Sequence, residues 1–92
     1  MIALDDIEDI TDLTRAEIDA IGEHEALPPL NAAALADRLM HIHHGPQKVQ
    51  QMICEDIRAA LHRDDLPHAR ELYVVLHRFL NDHPGAAEGV PR

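Results

Sequence analysis

The sequence predicts an all-α fold, a small bundle of about four helices, and three observations carry that prediction. Apolar residues recur every three or four positions through most of the chain, the spacing that lines one face of a helix. Residues that stop or start helices punctuate it at Leu27-Pro28-Pro29, Gly45-Pro46 and Asp64-Asp65-Leu66-Pro67. With 92 residues, the chain is long enough for one modest hydrophobic core and too short for two.

The first helix, over 14–26, has the clearest start. Thr14 is placed to cap the amide three residues on, Glu17 to reach back to it, and Leu13 to staple onto Ile18. The residue before a proline is pushed out of helical geometry, which ends the helix ahead of Leu27-Pro28-Pro29. Its apolar stripe is thin: Ile18, Ile21, Gly22 and the stem of Glu25. Gly22 is therefore expected to let a neighbouring helix approach closely. The second helix, over 29–43, lines one face with Ala32, Leu35, Ala36, Leu39 and Ile42, and its continuation puts His43 on that face. Gly45 is expected to end it in the left-handed conformation, with Pro46 opening the next helix.

The third helix, over 46–63, spaces Val49, Ile53, Ile57 and Leu61 by four residues, with Met52, Cys54 and Ala60 beside them and Asp56 at the edge. Asp65 is suited to cap the fourth, over 66–82, with Pro67 in its first turn. That helix is expected to bury Ala69, Leu72, Tyr73, Leu76, Phe79 and Leu80 and to leave Val74 and Val75 outside. Tight links between the first and second helices, and between the third and fourth, predict two antiparallel hairpins. Residues 1–12 read as an acidic arm or short helix, 13–83 as the bundle domain and 84–92, rich in Gly, Pro and Ala, as a disordered tail. The stretch from Asp65 to Pro84 resembles one helix of a tetratricopeptide-type repeat, but the recurrence at about 34 residues which that architecture requires is missing.

Composition narrows the function classes. Seventeen Asp and Glu against eight Lys and Arg give a net charge of -9, which repels phosphate backbones and anionic lipid surfaces. Nucleic acid and membrane are thus not expected partners. A single cysteine, Cys54, cannot close an internal disulfide, and the acidic start lacks the pattern of a secretory signal, so a cytoplasmic setting is expected. Tyr73 and Phe79 are the two aromatic residues, and a core this poor in large rings makes a homodimer sharing apolar surface a reasonable expectation.

Eight histidines are the unusual feature, because neutral imidazole is a common ligand for transition metals. The candidate metal ligands are His24, His41, His43 and His44 with Asp37, which lies one helical turn before His41. In one continuous helix, His41 and His43 would point about 160° apart, and they could converge only if the helix ended early. His43 is expected to be hydrogen-bonded in the core or at its rim, Asp56 to pair with Arg58, Arg63 or Arg70, and Cys54 to be a sluggish thiol beside acidic neighbours. His77, one turn after Tyr73, could couple to it.

No phosphate loop, nucleophile elbow, catalytic triad or calcium loop is present, so an enzyme is not the expected class. The expected function is a small non-enzymatic accessory or regulatory module that binds another protein, or itself as a homodimer. Ile2, Leu4, Ile7, Ile10 and Val74 are the candidate contacts. The alternative is a histidine-rich carrier, sensor or small metalloprotein holding a transition-metal ion.

Overall fold

The computed structural model describes residues 13–87, so the acidic arm, with the candidate contacts Ile2, Leu4, Ile7 and Ile10, lies outside the described residues. Four helices follow one another: α1 (Arg15–Glu25), α2 (Pro29–His41), α3 (Gly45–His62) and α4 (Leu66–Asp82). A short 3-10 turn, Pro84–Ala87, follows. No described helix is long and apolar enough to cross a membrane.

Local chemistry accounts for most of the boundaries. At the start of α1 the Thr14 hydroxyl accepts from the Glu17 amide at 3.2 Å, and Glu17 Oε1 accepts from the Thr14 amide at 2.8 Å. Such a cap contributes about 1 kcal/mol. Leu13 and Ile18 are both buried in the core, as a staple requires. The helix closes at Ala26, which is left-handed at φ 55°, with the Leu27 amide donating to the Gly22 carbonyl at 2.8 Å. Asp65 caps α4 by accepting from the His68 amide at 3.3 Å.

The core is built from Ile18 and Ile21 of α1, the alanines of α2, Val49 and Ile53 of α3, and Leu72 and Phe79 of α4. Helix α1 touches α2, α3 and α4, and α2 most extensively. Its close approach to α2 is possible because Gly22 has no side chain: a Cβ there would stand 2.8 Å from the Ala32 Cβ.

Several expectations are corrected. Helix α2 ends at His41, not 43, and Ile42 is extended. His43 is therefore exposed and not on the core face. The left-handed residue in this turn is His44, at φ 60°, while Gly45 is the buried first residue of α3. Glycine is needed at 45 for space, since a Cβ there would fall 1.4 Å from the Leu39 carbonyl oxygen. Tyr73 is 58% exposed. The buried line of α4 runs through Ala69, Leu72 and Phe79, with Val75 and Leu76 half-buried against it, which turns Tyr73 outward next to Val74. Val75 thus joins the core margin that it was expected to avoid. The tail expected from Pro84 begins instead as an ordered turn: Ala86 is fully buried, and Gln47 Nε2 donates to the Gly85 carbonyl at 3.2 Å.

Gly22→Leu forces α1 and α2 apart and should cost about 1–3 kcal/mol, as overpacking does. Gly85→Leu is the control, because a Cβ there meets nothing within 4 Å. Thermal unfolding followed by circular dichroism should show a large drop for the first and a small one for the second. Equal drops would remove close packing at Gly22 as the reason.

Candidate functional site

The expected metal ligands do not come together. His41 does meet Asp37, with Nδ1 3.4 Å from Oδ1 and 2.7 Å from the Asp37 carbonyl oxygen. His43 and His44 face each other, with ring centroids 3.7 Å apart. His24 turns instead to acidic residues of its own helix and of α3. Among the described residues, no group of three or more His, Cys, Asp or Glu side chains is positioned to hold a metal ion.

Where α1 ends against α3 and α4, a seam of imidazoles and carboxylates forms that linear spacing gives no hint of. His24 Nε2 lies 3.5 Å from Glu55 Oε2 of α3, and its Nδ1 lies 3.4 Å from Glu25 Oε1. On α4, His68 Nε2 donates to Glu23 Oε1 of α1 at 2.5 Å, and its Nδ1 lies 3.5 Å from Glu71 Oε2. The hydrogen bond to Glu23 favours the protonated ring and pushes the His68 pKa up.

Asp56 sits among these groups and is not paired with Arg58, Arg63 or Arg70; Arg63 pairs with Asp65 at 3.6 Å. Its Oδ2 is buried without a hydrogen-bond partner among the described residues. Burial pushes its pKa up, while the charges of His24 and His68 act against that shift. The arginine pair fails because the edge of α3 that carries Asp56 is the edge that α1 covers. Cys54 is half-buried, takes a 3.3 Å contact from Gln50 Nε2, and has its thiol pKa raised chiefly by burial. Such a thiol is a poor nucleophile at neutral pH.

The second feature is apolar. On the side of the α3–α4 pair where Tyr73 and Val74 emerge, Ile57 and Leu61 of α3 with Leu66, Ala69, Tyr73 and Val74 of α4 line an open groove of about 470 Å³. Val74 is 68% exposed, Leu66 51% and Leu61 48%. Arg70 stands on this groove, and Arg58 borders the adjoining hollow that shares Leu61 with it. Neither arginine has an ion-pair partner among the described residues. Tyr73 stacks on His77 at 5.6 Å between centroids, the coupling the spacing suggested, but on the surface. Sequence reasoning picked out Val74 and missed its neighbours, because Ile57, Leu61 and Tyr73 sit on stripes that read as core.

Glu17 is also buried, with Oε2 unpartnered among the described residues. Burial raises its pKa. Comparison with family models, curated proteins and solved structures finds no match for this chain.

Two pH-dependent outcomes follow from these shifts. Because the folded-state pKa of His68 is raised, its contribution is complete below the ordinary value near 6.5 and fades as pH rises through the folded value. His68→Gln should therefore lower the melting temperature most at pH near or below about 6, with the gap to wild type closing in alkaline solution. A gap that does not change with pH would show that the ring contributes by packing alone. Glu17 likewise titrates higher when folded, so its ionisation costs stability once pH rises above the ordinary value near 4.5. Glu17→Gln keeps the reach-back of the capping box and should raise the melting temperature at pH 7, with the gain vanishing towards pH 4. A loss of stability at pH 7 would overturn that assignment.

Proposed function

We propose that this chain is a small non-enzymatic protein-interaction module whose docking surface is the apolar groove of α3 and α4. One observation carries the reading: Leu61, Leu66, Tyr73 and Val74 are large, apolar, exposed and contiguous. Isolated exposed apolar residues are ordinary, but a continuous patch rimmed by polar groups is characteristic of surfaces that meet another protein. Tyrosine and arginine, both present here, are the residue types enriched where binding energy concentrates.

The reading includes an accessory or regulatory role in the cytoplasm, a setting in keeping with the single free thiol of Cys54. The partner is a protein and not nucleic acid or membrane, since a net charge of -9 opposes both of the latter. Among the described residues no nucleophile with an adjacent base stands out, which is why an enzyme is not proposed.

Val74→Glu tests this directly. The side chain is mostly exposed, so the variant should keep the wild-type circular dichroism spectrum and melting temperature while capture of the native partner from the source cells weakens about tenfold or more. Undiminished capture by a folded variant would rule out the groove as the docking surface.

A further inference from the structure

The groove has a charge signature as well as an apolar one, and that signature selects what covers it. The chain as a whole is strongly acidic, yet Arg70 lies on the groove and Arg58 beside it, one on each helix and neither in an ion pair among the described residues. Arginines left unpaired in so acidic a molecule favour a ligand that brings carboxylates. The floor between them, formed by Ile57, Leu61, Ala69 and Val74, favours aliphatic side chains.

Residues 1–12 combine these two properties. They read Met-Ile-Ala-Leu-Asp-Asp-Ile-Glu-Asp-Ile-Thr-Asp, with five carboxylates, no lysine or arginine, and aliphatic Ile2, Leu4, Ile7 and Ile10 between the acids. The segment joins the bundle at Leu13. An extended chain spans about 3.3–3.6 Å per residue, so twelve residues reach about 40 Å, comparable with the 39 Å longest dimension of the molecule. Tethering makes the encounter intramolecular, with an effective concentration of about millimolar order for a short link. A second copy docked face to face would instead bring Arg58 and Arg70 against their own kind, a like-charge arrangement that opposes association.

We propose that the α3–α4 groove is an internal docking site for the chain's own acidic segment 1–12, with its aliphatic side chains over Leu61 and Val74 and its carboxylates at Arg58 and Arg70. This rests on reading the groove as a docking surface. The arm then occupies the surface that a protein partner must use, and a partner competes with it.

The test uses the full chain carrying Cys54→Ser, which frees the thiol chemistry, and Ala3→Cys bearing a nitroxide spin label. In 15N spectra, the amide signals of Leu61, Leu66, Tyr73 and Val74 should lose most of their intensity relative to the reduced label, while those of Leu39 and Ile21 keep theirs. Adding Arg58→Gln and Arg70→Gln, or raising the salt concentration, should restore the lost signals. Intact groove signals, broadening centred elsewhere, or broadening that ignores both the arginine changes and salt would each overturn the proposal. A mixture of spin-labelled chain without 15N and 15N chain without label separates the remaining occupant: broadening of the groove in that mixture, as strong as in the single sample, would assign the site to the arm of a second copy and overturn internal docking. If Val74→Glu abolishes partner capture but no broadening is seen, the groove remains a docking surface and only its occupation by residues 1–12 is lost.

Discussion

Helix α1 lies close against α2 because one side chain is missing. With only eleven residues and a thin apolar stripe, it cannot gain much by burying large side chains. What it has is Gly22, set where a Cβ would collide with Ala32, and a partner helix that buries Ala32, Ala33 and Ala36 alongside Leu39. Small residues on both sides let the backbones approach, and dense contact between close backbones replaces the contribution that aromatic rings make elsewhere. The end of α1 also meets α3 and α4, where His24 lies beside Glu55 and Glu23 beside His68.

The same geometry explains why the two sides of the α3–α4 pair differ. Helix α1 covers the side that carries Leu72 and Val75. It is too short and too narrow to cover the other, where Ile57, Leu61, Tyr73 and Val74 come to the surface. The apolar groove is therefore the complement of the core: side chains of similar chemistry, on the same two helices, with no layer above them among the described residues. Among the described residues, two short helices packed on one side of a long pair leave an apolar face open on the other.

Two carboxyls with raised pKa stand on α1 and beside its C-terminal end. Glu17 is buried because the third residue of the helix faces inward, and its capping bonds satisfy one carboxylate oxygen while leaving the other without a partner among the described residues. Asp56 has one oxygen in the same position. Both carboxyls have their pKa raised by burial, and both lie near histidines, His83 for the first and His24 with His68 for the second. The bundle is thus held partly by contacts whose strength follows protonation, and its stability should be governed by pH more than its aliphatic core alone would suggest.

The sequence by itself determined the helices. Caps, prolines and apolar spacing are local, acting within one or two turns, so Thr14 with Glu17, Asp65, and the breaks at Pro28 and Gly45 could be read without knowing what packs where. The coupling of His41 to Asp37, the need for a small residue at Gly22 and the exposure of Val74 were legible for the same reason. Only the tertiary structure decided how each helix is rotated about its own axis and where the α2–α3 turn begins. Tyr73 and Leu61 fit a core stripe by spacing, yet stand outside because α1 covers the opposite side of α4. His43 leaves the core face because the chain must bend early enough to pass the Gly45 backbone beneath the Leu39 carbonyl. The seam of His24, Glu55, Asp56 and His68 joins residues from three helices, and no pattern along a single helix encodes a distance between helices.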